Sequence, residues 1–330
     1  MVKVSVKLNV RLLGRDPHLP SPGLERSQRM AIDRHDRDDP AADDAPGTVH
    51  GDEGYAAGAE RPVPEERRSR RELYADLRSR DNDPERQPPL GSPDAPRRTD
   101  DGGWEWKGLR LSPEANRVAD QQLSARRTAE GRADDGSYGD RGITPAMRRV
   151  EAGLEHGTLV PDTEKFALKS PDRFKEKLAK LTGRYPERSP SQLASAIHDG
   201  IRYTFVFDTS DYVAGVSKAG EKLIEEGYQL RLLRPSWGDP DYKGINSRWR
   251  DAEHGVDFEV QLHTPESWEA KQATHDIYKK IADPRTGAVE RSQLERKERR
   301  VAAEIGVPDG AEKIPYYSVK ETDGRGNNLL

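Results

Sequence analysis

Asp257-Phe258-Glu259-Val260-Gln261-Leu262-His263 alternates strictly. As a strand it puts Phe258, Val260 and Leu262 on one face and Asp257, Glu259, Gln261 and His263 on the other. Carboxylates beside histidines suit metal-dependent chemistry, although such a face, taken alone, is also that of a solvated outer strand. Just upstream, Asp241-Tyr242-Lys243-Gly244-Ile245-Asn246-Ser247 sets an aromatic, a cation and an amide in one turn and the strand that follows. A tyrosine there can stack on a base, Lys243 can meet a phosphate, and Asn246 can bond ribose or base edges; an ordinary Tyr/Gly turn reads the same way. Downstream, Trp268, Lys271, His275 and Tyr278 share a helix face by their i, i+3 and i+4 spacing, either as core or as the wall of a cleft. Further back, Lys169-Ser170-Pro171 with Lys175 and Lys177 places cations at the mouth and first turns of a helix, where backbone amides also favour phosphate.

The elements that would hold these groups are legible from their boundaries. Ser112-Pro113, Thr144-Pro145, Ser170-Pro171, Ser189-Pro190 and Thr264-Pro265 each read as a cap followed by a first-turn proline. They predict helices to about Arg127, Gly157, Leu181, His198 and Ile281. Asp211–Glu226 is an amphipathic helix ended by Gly227, and Arg291–Ile305 a charged one. Ile201–Phe207, Tyr228–Leu233, Gly244–Trp249 and Asp257–His263 read as strands. The fold class expected is α+β, a mixed sheet of four to five strands flanked by helices.

Composition confines that domain to part of the chain. Of 330 residues, 32% are apolar and 35% charged, with 24 prolines and 29 glycines, a balance that leaves too little apolar surface to order every segment. The shortage is local, since only Tyr55 and Tyr74 supply aromatic rings in the first hundred residues. The expected organisation is a largely disordered lead over 1–103, with one short strand at Val2–Leu13 and a short helix near Glu65–Arg80. A helical connector over 104–139, the domain over 140–318 and a flexible tail over 319–330 follow. A net charge of −4 argues against a broadly basic nucleic-acid coat. No apolar run approaches the roughly 18 residues of a membrane helix, and the alternating start is not a signal-peptide core. No membrane partner is expected, and the location is either cytoplasmic or reached by a non-classical export route. The absence of cysteine excludes disulfide-linked partners and thiolate chemistry.

Taken in order, these pieces resemble the synthetase domain of the RelA/SpoT alarmone family over roughly residues 165–282. Lys169-Ser170 with Lys177 resembles its Lys-Ser…Lys helix, and Gly200-Ile201-Arg202 its Gly-x-Arg strand. Tyr242-Lys243-Gly244-Ile245-Asn246 stands where the family has Tyr-Arg-Ser-Leu-His. Phe258-Glu259-Val260-Gln261-Leu262-His263-Thr264 is similar to Val-Glu-Ile-Gln-Ile-Arg-Thr, and Thr274-His275-Asp276-Ile277-Tyr278-Lys279 to Glu-His-x-x-Tyr-Lys. The wording around Tyr242 and His263 is similar to toxin-type nucleotide 3′-pyrophosphokinases that follow long variable leads.

The resemblance implies a nucleotidyltransferase-like fold and transfer of the β,γ-pyrophosphate of ATP to the 3′-hydroxyl of a purine nucleotide, as a growth-inhibiting toxin opposed by an immunity protein. It implies Mg²⁺ on Glu259 and Asp199, ATP held by Lys169, Ser170, Lys177 and Arg202, and catalysis by Glu259, Asp199 and Gln261. The acceptor would meet Tyr242, Lys243, Asn246, His263 and His275. The departures bear on two of these roles. Ile197 occupies the position of the family's metal-binding Asp, which leaves Asp199, two residues on and of the same strand parity, as the substitute. Asn246 and His263 replace the family's His and Arg, so GDP or GTP, ATP or ADP, and a tRNA 3′ end stay open as acceptors. Two other classes remain: a catalytically dead relative that binds nucleotide, and a metal-dependent nuclease.

Overall fold

The computed structural model describes residues 95–133, 135–283 and 286–319. The strand expected at Val2–Leu13, the helix expected near Glu65–Arg80 and the tail beyond Val319 lie outside the described residues.

The described chain opens with strands β1 (Arg97–Arg98), β2 (Trp104–Trp106) and β3 (Leu109–Leu111), then helices α1 (Pro113–Glu130) and α2 (Ile143–Ala152). After β4 (Gly157–Leu159) come α3 (Thr163–Phe166), α4 (Pro171–Arg184) and α5 (Pro190–Ser195). β5 (Arg202–Phe207), α6 (Tyr212–Glu225), β6 (Gln229–Pro235), β7 (Ile245–Asp251) and β8 (Val256–His263) follow. The last elements are α7 (Pro265–Ile281), α8 (Ala288–Ala303) and β9 (Tyr317–Ser318). Four of the five helix starts fall where the capping signals put them; the exception is α2, which starts at Ile143 behind Gly142 with no side-chain cap, so that Thr144 lies inside it, and which ends at Ala152 because Gly157 already belongs to β4. Ser112 accepts from the Ala115 amide, and Ser189 with Gln192 and Thr264 with Ser267 close reciprocal capping boxes.

Six strands make one mixed sheet in the order β4-β5-β8-β7-β6-β9, with β5 and β8 parallel and the other neighbouring pairs antiparallel. The four strands read from the sequence are the four central ones. The two additions, β4 and β9, are edges of three and two residues, too short for a period-two pattern to reveal. Alternation then sorts the two faces. Tyr203, Phe205 and Phe207 of β5 join Phe258, Val260 and Leu262 of β8 in the main core, against Met147 and Val150 of α2 and Val216 and Leu223 of α6. Each such side chain withdrawn from water contributes about 1.5–3 kcal/mol. The opposite face carries Arg202 and Thr204 beside Glu259 and Gln261.

Residues 104–139, read from sequence as a helical connector, hold α1 but begin with β2 and β3, which join β1 in a separate three-stranded sheet with β2 at its centre. Trp104, Trp106, Leu111 and Leu123 from this stretch share a second core with Phe174 and Leu178 of α4, Leu193 of α5, and Ile197. The helix predicted from Ser170, α4, is therefore packed from behind by residues that precede the expected domain.

Candidate active site

Residues 167–169 run antiparallel beside 200–202. The Lys169 amide donates to the Gly200 carbonyl (2.9 Å) and the Arg202 amide to that of Ala167 (2.9 Å). This pairing delivers Lys169 to Asp199, and Lys177, two turns into α4, arrives from the other side. Asp199 accepts from Lys169 Nζ on Oδ2 and from Lys177 Nζ on Oδ1, each at 3.0 Å, and from Arg202 Nη2 on Oδ2 at 3.0 Å. Asp199 is not in a strand, as parity would have it; it lies in a short 3₁₀ turn, His198–Gly200, and reaches Arg202 by i, i+3 geometry.

The electrostatics follow from that crowding. Burial alone would raise the Asp199 carboxyl, but Lys169, Lys177 and Arg202 outweigh it and hold the group well below the usual carboxylate range. For Lys169, burial and the neighbouring cations Arg202 and Lys177 lower the ammonium's pKa against the pull of Asp199.

Arg202 is the hinge between two carboxylates, because its Nε donates to Glu259 Oε2 at 3.1 Å. From Glu259 the contacts continue along the polar face of the sheet. Gln261 Nε2 donates to Glu259 Oε1 (2.8 Å) and to Asn246 Oδ1 (3.1 Å). Tyr242 Oη lies 2.9 Å from Asn246 Oδ1 and 3.0 Å from His263 Nε2, its ring edge-on to the imidazole at 5.5 Å. Gly244 lets the loop sit this close: its φ is +139°, and a Cβ there would stand 2.8 Å from His263 Cε1 and Nδ1. The face is not a solvated one, since Asp257, Gln261 and His263 are all buried.

Nine of the predicted site residues thus form one connected set: Lys169, Lys177, Asp199, Arg202, Glu259, Gln261, Asn246, Tyr242 and His263. Ser170 stands at the N-cap of α4 without its side chain capping the helix. Lys243 donates to the carbonyls of Trp237 (2.9 Å) and Asp239 (2.8 Å), so it braces the loop that presents Tyr242. His275 is half-buried on α7, one turn beyond Lys271. The helix face grouped from spacing divides: Trp268 is fully buried with Val160 and Val206, whereas Tyr278 is exposed.

Three further contributions come from residues that spacing alone places at most on a face: Lys271 on a possible cleft wall, Asp257 on the polar side of β8, and Arg126 on none. Lys271 Nζ donates to Gln261 Oε1 (2.8 Å) and lies 4.4 Å from the centre of the Trp268 ring. Arg126 of α1 is buried behind Asp199 and donates to the carbonyls of Ala194 and Ile197. Burial brings its pKa down to about 10, opposed by Asp257 and Asp199. A signal was present, for Arg126 extends the apolar stripe of Ala115, Ala119 and Leu123 and is therefore a cation on a core-facing position. Third, Asp257 binds Arg250 (2.9 Å) and His198 (3.3 Å) at the start of β8, a second charged cluster on the same face.

Glu259 and Asp199, on either side of the Arg202 guanidinium, are hard carboxylates of the kind magnesium takes, but all four of their oxygens accept from Lys169, Lys177, Arg202 or Gln261, so an ion would have to displace these donors. Among the described residues a separate trio, His156, Asp208 and Asp211, brings possible ligand atoms within 4.8 Å of one another at the opposite end of β5. No described helix is long and apolar enough to cross a membrane.

Comparison with known proteins gives structural likeness only. The chain is similar to the small alarmone synthetase 1 from Bacillus subtilis, with a TM-score of 0.38 and 11% identity over 59% of this chain and 91% of that one. A structure of the same Bacillus subtilis enzyme bound to its product pppGpp matches with a TM-score of 0.32 and 12% identity, over 61% and 92%. The protein smu.1046c from Streptococcus mutans UA159 matches with 0.33 and 13%, over 58% and 86%. No family model and no curated protein matches the chain.

Proposed function

We propose that the protein is a pyrophosphokinase of RelA/SpoT type, which moves the β,γ-pyrophosphate of ATP onto the 3′-hydroxyl of a purine nucleotide. One observation carries this reading. A partly buried cluster of three cations around Asp199 adjoins the Glu259 carboxylate through Arg202, and that carboxylate adjoins an aromatic ring through Gln261 and Asn246. Charge to hold a triphosphate, a group to take a proton and a surface to stack a base lie in that order along one sheet face.

In this reading Lys169, Lys177 and Arg202 grip the triphosphate, with Ser170 at the mouth of α4. Asp199 keeps the three cations together before the phosphates arrive, and the phosphates then compete with it for the same ammonium and guanidinium groups. Tyr242 stacks the acceptor base, Asn246 meets its sugar or edge, and His263 and His275 line the cleft. Glu259, held on Oε2 by Arg202 and on Oε1 by Gln261, takes the proton of the 3′-hydroxyl. The new bond joins that oxygen to the β-phosphorus, and the bond from the β-phosphorus to the α,β-bridging oxygen breaks, releasing AMP. A magnesium ion held by Glu259 and Asp199 would neutralise phosphate charge.

The test uses ATP labelled on its γ-phosphate with Mg²⁺ and, separately, ATP, GDP, GTP or deacylated tRNA. Label is expected on a nucleotide, and Glu259→Gln is expected to lower the transfer rate by at least about 100-fold. Label on tRNA would move the acceptor to its 3′ end, while strand scission would point to a nuclease. Tight ATP binding without transfer would leave a nucleotide-binding protein, a reading favoured by the full pairing of Asp199 with cations. As a toxin, the chain is expected to arrest growth when expressed in bacteria, with Glu259→Gln or a cognate immunity protein restoring it. Arrest that persists in Glu259→Gln would separate the growth effect from the transfer.

A further inference from the structure

Gln261 sits between two groups that can each play only one part. Lys271 is an ammonium that only donates, and its Nζ is 2.8 Å from Gln261 Oε1. Glu259 is a carboxylate that only accepts, and its Oε1 is 2.8 Å from Gln261 Nε2. The amide is thereby locked with its oxygen toward α7 and its nitrogen toward the strand.

Every later link inherits that direction. Gln261 Nε2 also donates to Asn246 3.1 Å away, so the Asn246 atom facing it is the oxygen, Oδ1. The Tyr242 hydroxyl, 2.9 Å from the same oxygen, must donate to it. With its proton committed, Tyr242 Oη accepts from His263 Nε2–H at 3.0 Å. His263 Nδ1 is then the bare nitrogen and accepts from Ser267 Oγ at 2.9 Å, which draws the single hydroxyl proton away from the Thr264 carbonyl 3.2 Å off. Asn246 spends its oxygen twice on these inner contacts, and its Nδ2 makes no hydrogen bond among the described residues although the side chain is only partly buried.

We propose that the Lys271–Gln261–Glu259 lock makes Asn246 a donor toward the acceptor nucleotide, so that the ligand must offer a ribose oxygen, a base carbonyl or a ring nitrogen at that point. Lys271 and Gln261 are positioning residues, and Asn246 determines specificity. An exocyclic amine placed there would meet two N–H groups and be rejected, because a buried donor facing a donor loses its bond and its water together. The identity of the ligand as a nucleotide rests on the pyrophosphokinase reading; the direction of the relay does not.

Two measurements test it. In the ¹⁵N–¹H spectrum of His263, recorded at alkaline pH where the ring is neutral, the Nε2–H tautomer is expected. In Gln261→Glu the oxygen that replaces Nε2 meets Glu259 Oε1, so the two carboxyls share one proton between them; what faces Asn246 is then an acceptor, Asn246 must turn its amide nitrogen inward, each link reverses, and the Nδ1–H tautomer is expected there. An Nδ1–H ring in the unaltered protein, or the same tautomer in both proteins, would overturn the relay. The spectrum of the unaltered protein alone decides the first point if Gln261→Glu does not fold. Asn246→Asp preserves both inner contacts but cannot donate outward. Its KM for the acceptor is expected to rise at least about tenfold with KM for ATP within about twofold, and an unchanged acceptor KM would overturn the donor role. Failure to label any acceptor would count against the pyrophosphokinase reading, while the tautomer would still judge the relay.

Discussion

At Asp199 two oxygens balance three cations, in a place where only about a seventh of the side chain reaches solvent. Asp199→Asn would leave Lys169, Lys177 and Arg202 facing one another without an anion. The loss expected is about 2–4 kcal/mol, below that of a fully buried pair because Lys177 is 38% exposed and partly screened. The pH dependence has a definite sign. The folded carboxyl is held below its ordinary 3.8, so its stabilisation is complete above that value and is lost as pH falls through the lowered one. Lys169 acts oppositely: burial lowers its pKa, so its charged form costs stability at neutral pH, and that cost fades as pH rises toward 10.5. Thermal melts of the two proteins from neutral to about pH 3 should show a wide gap that narrows at the acid end. A gap that stayed constant with pH would mean that the carboxylate charge is not what the cations need.

The 3₁₀ turn His198–Gly200 places Asp199, and what holds the turn is α1. Arg126 Nη2 donates to the Ala194 and Ile197 carbonyls, and Nη1 to Gln122. A Cβ on Gly200 would stand 2.5 Å from Arg126 Nε and 2.7 Å from its Cδ. A guanidinium held at both nitrogens cannot swing aside, so Gly200→Ala should shift the turn, cost about 1–3 kcal/mol and weaken ATP binding. Calorimetric melting and ATP titration would check both; unchanged ATP affinity would detach the turn from the proposed ATP site. This element also marks the limit of what the residues alone reveal. The polar face of β8 was legible because its alternation is strict, and Lys169 because a capped helix frames it. Arg202 and Asp199 entered only through the family resemblance, Asp199 by a parity argument that a turn replaces. Lys271 was placed only on a helix face and Arg126 not at all, because their roles depend on contacts across 10 and 71 residues, to Gln261 and Ile197. Periodicity gives a residue's face, not its partner.

For the molecule as a whole, the question is where the folded unit begins. The motifs suggest a domain from 140, but the second core joins Trp104, Trp106, Leu111 and Leu123 to Phe174, Leu178, Leu193 and Ile197 on the back of the helices that carry Lys177 and lead to Asp199. Trp104 Nε1 also donates to Asp172 Oδ1 (2.9 Å) in the first turn of α4, and the Arg173 guanidinium lies 5.0 Å from the Trp106 ring centre. Removing a single buried tryptophan side chain costs about 3–5 kcal/mol, and a whole domain is stable by only about 5–15 kcal/mol. A chain starting at Asp140 would lose four large core side chains and the Arg126 support together, more than that margin. A chain starting at Ala95 keeps all of them. The shorter chain is therefore expected to show no cooperative melt and no pyrophosphate transfer, and the longer one to melt and react as the full protein does. An active, cooperatively folded chain from Asp140 would mean that the small sheet and α1 merely rest on the six-stranded domain, and that Arg126 does not position Asp199.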